Sequence, residues 1–364
     1  MMFRIIFTLD YEIHGNGDGS PFDLMVEPTD RMISLFDRFG AKLTILADVA
    51  EIMRFRDYRD EHSKDDYHYG QISEQLIRAA ANGHDVQLHV HSSYLEAEHE
   101  DGKWKQNWEE YNLAALEPER LNEIIRSGKR FLEDLIKPHV PGYSCHVFRA
   151  ANWSMQPSRN IIRALTDNGI RIDTSVYKYG SQSGIVNFDY SGAPGNLIPW
   201  FADEDEITKH DPDGKLLEVP IYCEPRKIFA FVTPMRLFRF LRAKRHLHRV
   251  PEHLLQDQPE KQKTGKKGVL SRKRPWKMDL NQATGKQLIA ALKRIDRKYG
   301  SFPVDLPVVL IGHSKTFIKY NEHTLKPFLK FVSRNSERFR FATFGDINVE
   351  SFRNIPLTES TWND

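Results

Sequence analysis

The chain opens on an apolar run, Phe3 to Leu9, broken only by Arg4 and Thr8, that ends in Asp10-Tyr11-Glu12-Ile13-His14. Such a run reads as a buried strand carrying ionisable groups at its carboxyl end. Apolar positions at helical spacing (Met32, Ile33, Leu35, Phe36, Phe39) then predict a helix capped by Thr29-Asp30 and stopped at Gly40. A strand from Leu43 to Leu46 follows. Residues 55–69, charged and aromatic, read as a loop or irregular helix. Gln71 to Ala81 reads as a helix, Asp85 to His91 as a strand, and Glu117 to Leu135 as a long amphipathic helix. Further strands are expected at Val147–Arg149, Ile170–Val176, Leu216–Ile221, Val308–Ile311 and Phe339–Thr343, with helices at Gln156–Asn168, Thr284–Lys298 and Glu322–Ser333. Pro194 to Ala202 reads as loop. The alternation predicts an α/β fold, a mostly parallel sheet wrapped by helices, and about eight strands could close it as a barrel. Residues 1–364 then form one domain, interrupted by an insert at 224–278.

The polar residues fall at the ends of the expected strands. Asp10 and Glu12 end the first strand and, two apart, share a face. His89 and His91 alternate about Val90 on another, Arg149 ends the next, and Asp173, Glu218 and His313 follow in turn. One mouth of the barrel therefore collects imidazoles, a guanidinium and carboxylates. Two imidazoles on one strand face suit a borderline metal such as zinc, and Glu12 could add an oxygen ligand. Three protein ligands plus water make the open, catalytic kind of zinc site. His14 and His84 are expected to be structural.

Charge alters this picture in one place. Glu224 to Met278 holds sixteen Lys or Arg against four Asp or Glu, a surplus of twelve, so the rest of this +2 chain carries −10. A basic insert on an acidic body suggests an anionic partner. Thr233 to Arg249, read as a helix, places Met235, Leu237, Phe238, Phe240 and Leu241 among arginines, as in segments that lie on anionic membranes. Packing beside the barrel is the alternative, and Lys261 to Lys267 reads as disordered. No nucleic acid is expected as a partner. Two cysteines, Cys145 and Cys223, make no disulfide framework, and the first strand leaves no room for an export signal. The expectation is a cytoplasmic protein, peripheral at most at the inner face of the membrane.

Five motifs in order resemble those of the polysaccharide deacetylases, the NodB-homology carbohydrate esterases. Asp10-Tyr11-Glu12 is similar to the first and Gly83 to Ser93 to the second, although Ser93 stands where a second His is usual and His91 is its obvious substitute. Phe148-Arg149-Ala150-Ala151-Asn152-Trp153 resembles the third, Asp173-Thr174-Ser175-Val176 the fourth, and Leu310-Ile311-Gly312-His313 the fifth. The likeness spans roughly residues 4–220 and 304–316. It implies a distorted (β/α) barrel and a metal-dependent removal of acetyl groups from an N-acetylated sugar. Asp10 is then the base, Arg149 its holder, and His313 the general acid. Glu12, His89 and His91 would be the metal ligands. Leu310 would flank the acetyl pocket, Asp173 would belong to the substrate side, and Trp153 could wall the sugar ring. Hydrolysis of a non-sugar amide, or a catalytically silent saccharide-binding barrel, are the rival expectations.

Overall fold

The computed structural model describes residues 1–13, 19–234, 236–237, 273–353 and 355. Its centre is strand β1 (Phe3–Tyr11), every residue of which is buried except the half-buried Arg4. A strand covered on both faces gains nothing from alternation, which is why it is apolar at consecutive positions. On one side it pairs with β2 (Leu43–Asp48), and beyond lie β3 (Asp85–Val90), β4 (Val147–Ala150), β5 (Ile172–Asp173), β7 (Leu217–Glu218) and the antiparallel edge strand β6 (Trp200–Phe201). On the other side lies β10 (Leu306–His313), parallel over the whole span from Phe3 opposite Leu306 to Asp10 opposite His313. The short β11 (Phe339–Ala342) pairs with the first half of β1, leaving the second half to β2.

These nine strands form a curled half-barrel. The seam between its ends is bridged by single-residue contacts, Ile221 with Val309 and Asp279 with Ile311. The two ends of the insert meet at that seam as an antiparallel hairpin, β8 (Cys223–Arg226) with β9 (Arg274–Lys277). Helices α1 (Glu27–Asp37), α2 (Val49–His62), α3 (Tyr69–Ala81), α4 (Pro118–Ile136), α5 (Ser158–Asp167), α6 (Gly285–Tyr299) and α7 (Lys319–Arg334) wrap the sheet. None is long and apolar enough to cross a membrane.

Local chemistry explains where the sequence expectations fail. Residues 55–69 were expected to be loop or irregular helix, yet α2 runs to His62. The Asp48 side chain caps it by accepting from the Ala50 N–H (3.2 Å), and Val49, Ala50, Ile52 and Phe55 give it a buried face. Helix α1 begins at Glu27, so Thr29 and Asp30 lie in its first turn and do not cap it. The expected strands 170–176 and 216–221 shrink to two residues each. Beyond Asp173 and Glu218 the chains follow the curl, held by separate bonds such as Ile221 N–H to Val176 O (2.9 Å) and Tyr222 N–H to Val309 O (3.2 Å). His14, Met235, Phe238, Phe240, Leu241 and the Lys261–Lys267 stretch lie outside the described residues.

Candidate active site and metal centre

Register assembles the site. Pairing sets Asp10 beside His313, Asp48 beside His89, and His89 beside Arg149, so five adjacent strands deliver their polar ends to one place. A cavity of about 280 Å³ opens there, lined by Asp10, Glu12, His89, His91, Ala150, Asn152, Trp153, Lys277, Asp279, Gln282, Ile311, His313 and Lys315.

Glu12 Oε2 lies 2.7 Å from His91 Nε2 and 3.1 Å from His89 Nε2. The three donor atoms fall within 4.8 Å of one another, close enough to hold one metal ion, and all three residues are buried. The surroundings fit a metal. His89 Nδ1 is engaged by the Arg149 carbonyl (2.8 Å), which fixes the ring and leaves Nε2 facing Glu12, the way metal-bound imidazoles are usually held. Burial opposes a proton on His89, but the hydrogen bond to Glu12 and the charges of Asp10 and Asp48 outweigh it and raise the imidazole to about 9. The same carboxylates that favour a proton there would favour a bound cation, which would have to displace that proton. His91 is fixed through its backbone, whose N–H donates to Asp48 Oδ1 (3.0 Å). Ser93 is buried elsewhere, donating to Gln106 (2.9 Å), so among these residues it is His91 that faces Glu12.

Asp10 and Arg149 form the second half of the site. Arg149 Nη1 donates to Asp10 Oδ1 (2.7 Å) and to Thr8 (2.8 Å), while its Nε donates to the Thr174 carbonyl (2.8 Å). Burial pushes the Asp10 carboxyl up, but Arg149 and then His313 overcome it and hold the group below its usual range. His313 Nε2 is 3.4 Å from Asp10 Oδ2. Burial draws this imidazole down against the pull of Asp10. The Asn281 amide clasps the His313 backbone on both sides, accepting from its N–H (2.7 Å) and donating to its carbonyl (3.2 Å).

Three expected residues stand differently. Leu310 is fully buried and does not line the cavity. Strand alternation turns Ile311 and His313 toward the site instead, so Ile311 supplies the apolar wall. Asp173 lies behind Arg149, buried and accepting from Ser175 Oγ (2.7 Å). Burial raises both it and the adjacent Glu218, which share a hydrogen bond away from the cavity. Trp153 does line the cavity, but the Lys277 ammonium sits 3.5 Å from its ring centroid. Asn152 and Trp153 take left-handed backbone angles (φ 54° and 57°), and the Trp153 carbonyl is held by the Tyr190 hydroxyl. His84 is structural: its Nδ1 accepts from the Leu43 N–H (3.1 Å).

Lys277, Asp279, Gln282 and Lys315 were missed. Lys315 Nζ donates to Glu12 Oε1 (2.8 Å) and to the Ile13 carbonyl (3.0 Å). Together with His91 and His89 it outweighs the burial of Glu12 and holds that carboxyl well below its usual range. Its place two residues past His313 was the available signal. Lys277 lies in the basic insert, where a lysine is lost among many, and Asp279 and Gln282 directly follow it.

No protein-family model matches the chain. No curated protein matches it in sequence. Solved structures do. One, from Mycobacterium smegmatis and described as a polysaccharide deacetylase, superposes with a TM-score of 0.52 over 98% of this chain and 92% of its own, at 16% identity. The chain has the fold of a polysaccharide deacetylase. The same fold carries other chemistry. A 4-alpha-glucanotransferase from Thermococcus litoralis matches with a TM-score of 0.53 over 95% of this chain and 40% of its own, at 13% identity. A GH57-type branching enzyme from Pyrococcus horikoshii matches at 0.51 over 94% and 69%, also at 13% identity. Fold does not choose among these, and the side chains have to.

Proposed function

We propose that the protein is a metal-dependent hydrolase that removes acetyl groups from an N-acetylated sugar, in a polysaccharide or in a lipid- or nucleotide-linked precursor. The observation that carries this reading is Asp10, kept ionised by Arg149 at 2.7 Å and set in one cavity with the Glu12, His89 and His91 donors. An N₂O donor set with an open position suits zinc. When bound, such an ion polarises a carbonyl and lowers the pKa of water to about 7. The chain's own groups supply the rest. Asp10 Oδ2, the oxygen not engaged by Arg149, accepts the proton of the attacking water. His313 Nε2, beside that oxygen, delivers a proton to the leaving amine. Ile311 and Ala150 give the acyl group an apolar wall.

Neither Asp10 nor Glu12 suits glycoside transfer, which needs one carboxyl kept protonated as an acid. Asp10 and Glu12 are both held down by cations. Hydrolysis of a non-sugar amide would use the identical groups. Incubation with zinc and a panel of N-acetylated oligosaccharides, sugar nucleotides and simple amides, read by acetate release, tests the reading. Release from the sugars supports it, release from the simple amides alone moves the substrate class, and binding without release means a silent barrel.

We further propose that the insert at 224–278 meets an anionic membrane surface. Its described edge exposes Phe229, Val232 and Leu237 (70, 74 and 61%) beside the basic surplus. Salt-sensitive sedimentation with anionic vesicles, lost on deletion of 233–275, is expected. Equal recovery of both proteins in the low-salt supernatant would refute it.

A further inference from the structure

The charged groups around the site cavity are three carboxylates and three cations, but they are not paired one to one. Asp10 is matched by Arg149 and Glu12 by Lys315. Asp279 is satisfied by the backbone N–H groups of Asn281 (2.8 Å) and Gln282 (3.0 Å). Lys277 is not paired in this way. Among the described residues its ammonium has no ion-pair or hydrogen-bond partner. It rests between two rings instead, 3.5 Å from the centroid of Trp153 and 4.1 Å from that of Tyr177. Cation–π contact holds an ammonium by its charge and leaves N–H donors free for a ligand.

The backbone around Lys277 is built to keep it there. Lys277 pairs with Cys223 at the inner end of the insert's hairpin. The next residues are tied into the barrel seam, Met278 N–H to Tyr222 O (3.1 Å) and Leu280 N–H to Ile311 O (2.7 Å). The lysine therefore stands on a braced stem. Burial draws its amine down to about 8, which still leaves the protonated form in excess at neutral pH.

We propose that Lys277 recognises an oxyanion, a carboxylate or a phosphate, carried by the substrate near its N-acyl group. An ammonium that feels the charge of Asp279 but makes no direct ion pair keeps its N–H donors open, and in a small, partly desolvated cavity it favours an anion over a neutral hydroxyl. The aromatic faces that a neutral sugar would stack on are already taken by the ammonium, so the cavity offers a charged platform where Trp153 alone would offer an apolar one. The inference rests on the deacetylase reading for the word substrate, but its test does not need turnover.

The probes are N-acetylglucosamine, N-acetylglucosamine 6-phosphate, N-acetylglucosaminuronic acid and inorganic phosphate, used with the full chain at pH 7. The readout is protection of Lys277 from reductive methylation, followed by peptide mass spectrometry, with calorimetric affinities alongside. At least one anionic sugar should half-protect at a concentration tenfold or more below that of the neutral sugar. The phosphate and uronate arms show which oxyanion is read. Calorimetry on Lys277→Met, with its thermal midpoint checked, should bring anionic and neutral sugars within twofold, and Lys277→Arg should keep the preference. Equal protection by neutral and anionic sugars, no protection by any probe, or an undiminished preference in Lys277→Met overturns the proposal. The two readings fail separately. Charge-selective protection with no acetate released from any sugar removes the deacetylase reading alone, whereas acetate release without charge preference removes this one.

Discussion

Arg149 is the most demanding residue in the molecule. Its side chain is fully buried and its partner Asp10 is 4% exposed, at 2.7 Å. At an effective dielectric of about 20 the gross attraction is about 6 kcal/mol, most of it offset by desolvation of both ions. Arg149→Met removes the cation and leaves Asp10 buried with only the imidazoles of His313 and His89 to favour its charge. The expected cost is about 3–5 kcal/mol. Asp10→Asn removes the matching anion, and the double variant leaves no stranded charge, so it should be less damaged than the sum by at least about 2 kcal/mol. Urea midpoints of the four proteins, measured with chelator present and with unchanged slopes, supply the cycle. The pH dependence has a definite sign. Because the folded Asp10 pKa lies below its unfolded value, the pair's stabilisation is complete above the ordinary carboxylate range and fades as pH falls through the folded value. The gap between wild type and Arg149→Met should therefore close in acid. Additive single costs, or a gap that widens in acid, would refute the assignment of Arg149 as the group that keeps Asp10 ionised.

Three further outcomes follow from the site. His89→Ala and His91→Ala should each lose stoichiometric zinc by elemental analysis, and retention in both would remove the pair from the metal site. Asp10→Asn and His313→Ala should each lower acetate release by at least about 10²-fold while the circular dichroism is kept; undiminished release from either removes that residue from the mechanism. Lys315→Met frees Glu12 Oε1 of a competing cation at 2.8 Å and should tighten zinc binding by about tenfold or more in a chelator competition, with equal affinity showing that the ammonium does not oppose the metal.

The fold and the inner site were legible for a common reason. Strands covered on both faces are written as apolar runs, and their polar ends stand out, as with Asp10, His89, Arg149 and His313. Period alone also placed His89 and His91 on one face. What could not be read was anything decided by a partner distant in sequence. Leu310 and Ile311 are equally apolar, and only the pairing of β10 with β1 turns the second toward the cavity. Asp173 resembles a site residue in its motif, yet the curl of the sheet puts it behind Arg149. Lys277 carries no local mark at all. It is one of sixteen basic residues in its segment, singled out by a hairpin whose two strands lie forty-seven residues apart at their near ends.

The bridged seam also bears on how such a protein can change. Both ends of the insert are anchored within a few residues of the cavity, at Tyr222 with Val309 and at Asp279 with Ile311. The chain leaves that anchor at Arg226 and returns to it at Arg274, and the entropy of closing a flexible loop rises only with the logarithm of its length, about 0.6 kcal/mol per doubling. Lengthening, shortening or exchanging the segment thus leaves the nine-stranded sheet almost indifferent. Shifting the hairpin by a single residue would instead carry Lys277 to the opposite face of its strand. The seam lets natural variation or a designer graft new reach onto an old reaction centre, with selectivity set at the graft point and not along the graft.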